Sequence, residues 1–454
     1  MAKETIETIV PTPPASELNV YVSSPSGPRP IKETAFREWV VTNQIGTSLT
    51  ILAMLLALYN LYPSLRPYNQ PFFELSYYDP ASNTYIQGWH DLYFVVSAAL
   101  ALTAIRAIVI EWVIQPIGRS LGLKRKAALR LAEQGWQVLY YGFIWAIGLY
   151  LWKNSYYWFD FGAIWNEWPA RPLGGLMKWY ILVELAFLLQ QIFVIHVEEK
   201  RKDHYQMLSH HVVTSMLLGS AYIYGFHNVS NVVLCLMDIV DVLLPSAKIL
   251  KYLKFQNACN VAFGIFMATW VVTRHILYNI VWWSTYKAIP QTMAYGCYSG
   301  STAKMISTNG YPNAIAYMFG PFLGVENPIC MNPTIKWIFL GFLLSIQLLS
   351  VVWFTMIVRV AYRVVCSGAA EDTRSDEEDE IETDDTPATN GTVRLAAKEG
   401  VTTAPIAVNE NAPGLDRRRS NGSASVCARG RGRVPFAQSD RKAFLGRIGC
   451  DKPT

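Results

Sequence analysis

Apolar residues in this chain gather into continuous blocks at about 46–66, 92–115, 136–152, 176–195, 207–225, 229–249, 258–283 and 335–360. Several reach the ~20 residues that an α-helix needs to cross a hydrocarbon core of ~30 Å. Backbone groups in lipid find no water and must bond within their own segment, so blocks of this length predict helices. The pattern predicts an all-α polytopic membrane protein with about eight transmembrane helices. The fifth and sixth blocks are the ones that carry histidines and aspartates, and if either failed to span, those residues would not face each other.

The flanks are of another kind. Residues 1–45 hold PTPP and SSPSGPRP, which cannot bury enough apolar surface to fold alone and read as a disordered lead. With no basic stretch running into an apolar core, this lead does not resemble a removable signal peptide, and the first span is expected to direct insertion. The membrane domain is then 46–363. From 364 to 454 the chain is polar, with an acidic run at 371–385 and a later basic triplet, Arg417 to Arg419, the composition of a solvated tail. Ser375, just ahead of consecutive acids, is a candidate phosphosite that would change the charge of that tail.

Composition agrees with a lipid environment. The chain is 52% hydrophobic and only 16% charged, against roughly 45–50% and 25% in soluble domains. Its net charge of +5 sits in alternate short loops, at Arg119 to Arg130, Lys200 to Lys202, Lys248 to Lys254, and Arg359 and Arg363. The positive-inside rule makes those loops cytosolic, and an even number of spans then puts both termini in the cytosol. Charge explained in this way gives no reason to expect nucleic acid. The opposite loops, about 67–91, 153–175 and 284–334, are rich in Trp, Tyr and Pro, as membrane-interface belts are. Cys297 and Cys330 share the last of them and are a candidate disulfide in an oxidising lumen.

The candidate chemistry lies in the fifth to seventh blocks. His210 and His211 are adjacent in an apolar helix, so their side chains point ~100° apart and cannot share one role. Asn231, Asp238, Asp241 and Lys248 come next, at separations that place them along one face of the next helix. A carboxylate at mid-bilayer costs roughly 2.5–3.5 kcal/mol, so two of them must turn inward and find partners. A short connection makes these two helices antiparallel neighbours, which offers the histidines as those partners. Arg274 and His275, in the seventh block, must also face inward or reach an interface. A His–Asp pair in a dry cleft handles protons, and the imidazole can also accept an acyl group itself. Two other readings compete with this one: a polar network that only locks helices together, and a mononuclear metal site built from the same four side chains.

The run from Arg201 to His211 (RKDH, then Q, M and HH), followed by MDIVDVLLPSAKILKY at 237–252, resembles the signature of the longevity-assurance, or ceramide synthase, family of the TLC superfamily. The upstream NEWPARPLGGLMKWY is similar to its fungal branch, and the similarity covers about 90 to 350. The resemblance implies an endoplasmic-reticulum sphingosine N-acyltransferase that joins the acyl group of a fatty acyl-CoA to the amine of a sphingoid base, with acyl-CoA as co-substrate and no cofactor. It places the catalytic set on His210, His211, Asp238 and Asp241. Arg201, Lys202 and Lys248 are then candidate contacts for the CoA anion, with Asn231, Arg274 and His275 as further substrate contacts. The expected intermediate is an acyl-imidazole, first on His210, with direct attack aided by a histidine base as the alternative. A non-enzymatic TLC-type lipid sensor or transporter is the competing function. The partners are the two substrates and membrane lipids, and assembly with a second copy or a small regulatory subunit stays open.

Overall fold

A computed structural model describes residues 39, 42–197, 204–300, 302–307, 316–324 and 326–367, with side chains through 362. Arg201, Lys202 and Ser375 lie outside the described residues, as do most of the two flanking segments. The chain divides into two units, 1–200 with 204–357 and 201–203 with 358–454. In the second, the described part is the end of the last helix; the helical bundle belongs to the first.

Each predicted block falls on a long helix. These are α1 (Gln44–Leu61), α2 (Asp91–Ser120), α3 (Arg125–Lys153), α4 (Gly175–Val197), α5 (His204–Ile223), α6 (His227–Tyr252), α7 (Gln256–Gln291) and α8 (Pro333–Ser367). Among the described residues, five of them, α1, α2, α4, α7 and α8, are long and apolar enough to cross a membrane. The chain is a multi-pass membrane protein. The other three are the helices richest in polar side chains. α3 starts eleven residues before its apolar block because Arg125, Lys126 and Arg130 sit on its first turns, and α6 carries Asp238, Asp241, Lys248 and Lys251. Apolar side chains that point away from the bundle, among them Met54, Trp112, Phe193, Val261, Ile265 and Leu348, are exposed, as surfaces that meet lipid are.

Helix contacts differ from the order expected along the chain. α6 packs most extensively along α3 and then α7, and only slightly along α5. The expectation that a short turn makes α5 and α6 close partners is therefore corrected: Gly225, at φ 75°, turns the chain, but the small residues that admit close approach lie between α3 and α6. At Gly148 of α3, a Cβ would fall 2.5 Å from the Tyr180 hydroxyl and 2.9 Å from Cys235 Sγ, so three helices meet where only glycine fits. Asn231 seals this level, donating to the Gly148 carbonyl at 3.0 Å and accepting from the Tyr157 hydroxyl at 3.3 Å. Ile144, Tyr180, Ile181, Leu182 and Ala186 fill the core between α3 and α4.

The end of the bundle away from the histidines is closed by a satisfied polar network. Lys178 meets Asp91 at 2.7 Å and donates to the carbonyls of Ser76 and Ile86, while the Tyr222 hydroxyl donates to Asp91 at 2.7 Å. The all-α expectation is also amended here. A hairpin pairs β1 (Tyr78–Asp79) with β2 (Thr84–Tyr85), and a three-stranded antiparallel sheet runs in the order β4 (Met305–Ser307), β3 (Gly296–Tyr298), β5 (Ile329–Met331). Cys297 and Cys330 face each other across β3 and β5 and are joined by a disulfide. Strands this short carry no readable alternation.

Candidate active site

The site lies where α5, α6, α7 and α8 converge, one to two turns from the Gly148 level. On α5, His211 is 6% exposed and its Nδ1 lies 2.8 Å from the Met207 carbonyl. A carbonyl only accepts, so Nδ1 carries the proton, and in the neutral ring Nε2 is left with its lone pair. His210 is half-buried, its ring 5.4 Å from that of His211 and 5.1 Å from the indole of Trp353 on α8. Thr214 spends its hydroxyl proton on the His210 carbonyl at 2.7 Å and approaches the His210 ring only to 3.5 Å. Ser215, one turn from His211, is buried with its hydroxyl oxygen unpartnered.

On α6, the aspartates do not pair with the histidines, which corrects the expectation drawn from the short connection. Asp241 instead accepts from Arg274 Nη2 at 3.2 Å, and the same nitrogen donates to the Met237 carbonyl at 3.1 Å. Asp238 is 4% exposed and its Oδ2 is unpartnered. The cause is helix packing: α6 turns toward α3 and α7, so the cation that reaches Asp241 comes from α7.

Arg274 and His275 sit in a π-helical stretch, Val271–Leu277, inside α7. The extra residue per turn widens the helix locally and re-aims both side chains, a feature common at functional sites. Arg274 lies 4.4 Å over the Trp270 ring, and its Nε is unpartnered. His275 receives a hydrogen bond at Nδ1 from Gln347 of α8 at 3.0 Å and packs on Phe354 at 4.9 Å. Arg274 is within electrostatic range of His210. Histidine pair, arginine and Asp241 therefore gather in one region of the bundle, where 40% of the Asp241 side chain is accessible.

Among the candidate substrate contacts, Asn231 stands apart, fully buried with its polar atoms spent on α3 and the Tyr157 loop. Lys248 is half-buried near the end of α6. The site also holds residues outside the set drawn from the sequence. Glu184 of α4 is 2% exposed, with Oε1 unpartnered, and interacts with Asp238 and Asp241. Its signal was present as a single acid inside the apolar block 176–195, where any carboxylate is costly. Trp353 and Gln347 gave no such signal, being ordinary in an apolar helix.

A multi-pass bundle that gathers paired histidines, two aspartates and an arginine in one region holds a candidate proton-handling site. The family model described as the TLC domain of TRAM, LAG1 and CLN8 proteins matches residues 130–359. The chain is 42% identical to the sphingosine N-acyltransferase-like protein ALT7 of Alternaria alternata over 76% of this chain and 78% of that protein. It is 38% identical to sphingosine N-acyltransferase lag1 of Schizosaccharomyces pombe over 74% of this chain and 79% of that protein. It is 33% identical to Ceramide Synthase FUM18 of Gibberella moniliformis over 76% and 81%. The chain belongs to the TLC-domain family.

Proposed function

We propose that this protein is a sphingosine N-acyltransferase, forming ceramide from a fatty acyl-CoA and a sphingoid long-chain base. The observation that carries the reading is the gathering of His210, His211, Asp241 and Arg274 in one region of the bundle of a TLC-domain chain. His210, the more accessible imidazole, attacks the thioester carbonyl, and its ring proton leaves with the CoA thiolate. His211, held in one tautomer by the Met207 carbonyl, is the base that takes that proton from His210 through Nε2 and relays it to the thiolate. Arg274, with Nε unpartnered, stabilises the negative oxygen that develops on the carbonyl. The sphingoid amine then attacks the acyl-imidazole and the ceramide leaves sideways into the bilayer.

Asn231 positions α6 against α3 rather than touching substrate. Lys248, with Lys251 near the end of α6, supplies charge for the CoA phosphates; Arg201 and Lys202 are assigned to the same task from sequence alone. All eight long helices cross the membrane of the endoplasmic reticulum, with both termini cytosolic, as the alternation of basic loops supports. Reaction of single introduced cysteines with an impermeant reagent checks this: cysteines next to Arg125 and Lys251 react from the cytosolic side. Reaction from the other side contradicts that orientation.

Incubation with acyl-CoA alone, followed by peptide mass spectrometry, tests the covalent step. The expected result is the acyl mass on the peptide that holds His210. Full turnover with no adduct on either histidine overturns the intermediate and leaves direct attack with His211 as base.

A further inference from the structure

Two buried carboxylates, Glu184 and Asp238, meet the more accessible Asp241 in the bundle, and Glu184 has no part in the transfer of the acyl group to and from His210. Glu184 lies midway along α4 with Oε1 unpartnered, and across from it Asp238 has Oδ2 unpartnered. The two interact with each other and with Asp241, one turn further along α6. The Asp241 side chain is 40% accessible whereas Asp238 and Glu184 are buried, so Asp241 is the member of the three that meets the outside. The buried hydroxyl of Tyr140 on α3, which has no partner, lies within electrostatic range of both Glu184 and Asp238.

Such a cluster is expensive. Carboxylates this close cannot all be charged in a medium of low dielectric, and each unpaired buried oxygen costs its desolvation. Arg274 is bonded to Asp241 and also acts electrostatically on Asp238. The cheapest state is one in which Glu184 and Asp238 share a proton, and a pair that shares one proton exchanges it readily with a third carboxylate beside it.

We infer that Glu184 and Asp238, behind Asp241, form the internal acceptor for the proton that the sphingoid ammonium must lose before it attacks. The inference rests on the N-acyltransferase reading of the site. The base arrives as an ammonium with three N–H bonds. One proton passes to Asp241 and on to the Glu184–Asp238 pair, leaving a free amine. The nitrogen lone pair forms the bond to the acyl carbon while the bond from that carbon to the His210 nitrogen breaks, its electron pair returning to the imidazole. The second proton goes to that imidazole nitrogen and the third stays on the amide. The stored proton then leaves through Asp241, the member that meets the outside. Glu184 is thus a positioning residue that acts through Asp238 and Asp241.

The groups that face Glu184 are Tyr140 and Tyr141 from α3, Tyr180 on its own helix, and Cys235, Asp238 and Asp241 from α6, with Arg274 of α7 beyond Asp241. α5 turns His211 and Ser215 inward beside α4, and α2 brings apolar Val95, Ala104 and Ala107 to the buried side.

The test compares the full-length wild type with Glu184→Gln and Glu184→Asp in detergent micelles, using two nucleophiles of equal chain length. One is a sphingoid base, the other its aminooxy analogue, which is uncharged at neutral pH and has no ammonium proton to lose. Glu184→Gln is expected to slow transfer to the sphingoid base at least about tenfold, within the range of a lost proton-transfer group. Transfer to the aminooxy analogue falls by less than about twofold, the loss with sphingoid base shrinks as pH rises and free amine accumulates, and Glu184→Asp restores most of the rate. Equal losses with both nucleophiles indicate a structural role and overturn the inference, as does an unchanged pH profile in Glu184→Gln. Failure of the wild type to acylate either nucleophile removes the N-acyltransferase reading itself, and the inference with it.

Discussion

At the scale of single residues, the site is a set of polar groups that lipid would reject unless each were turned inward. Asp238 shows the consequence most plainly, since one of its oxygens has no partner although the residue is 4% exposed. Replacement of Asp238 or His211 by Ala is expected to abolish turnover, a loss of ~10²–10⁴-fold or more for a proton-handling group, while the solubilised protein keeps its fold. Near-normal activity in either variant contradicts the assignment. Two histidines and two aspartates in apolar blocks were legible in the sequence because ionisable groups are rare there. Which of them touch was not legible. Asp241 finds Arg274, thirty-three residues away, because α6 lies along α7, and no local spacing encodes that. Glu184 carried the same signal as the aspartates but stood alone within its block.

At the scale of elements, positions of the helices along the chain derive from apolar block length, and each predicted block lies on a helix. Their neighbours are set by small residues instead. Gly148 is the clearest case, because the Tyr180 hydroxyl and Cys235 sulfur occupy the space a side chain would need. Gly148→Val should part α3 from α4 and α6 at a cost of about 1–3 kcal/mol, as overpacking does. Thermal unfolding in detergent measures it as a lowered Tm, and an unchanged Tm contradicts this packing. The π-helical stretch at Val271–Leu277 is invisible in periodicity, yet it carries Arg274. Strands of two or three residues around Cys297 and Cys330 are too short to show a period either, although the cysteines were visible as a pair.

At the scale of the whole molecule, the two ends of the bundle do different work. One is tied by the Asp91–Lys178 pair, the Tyr222 hydroxyl bonded to Asp91, the disulfide and the β3–β5 sheet. The other keeps unpartnered groups, at Asp238, Glu184, Ser215, Arg274 and His275. The most direct measurement is ceramide formation by the purified protein, given a sphingoid base and a series of acyl-CoA chain lengths. Ceramide and free CoA are expected in equal amounts for at least one chain length, and none from His210→Ala. Binding of either substrate with no ceramide at any chain length would contradict the N-acyltransferase reading.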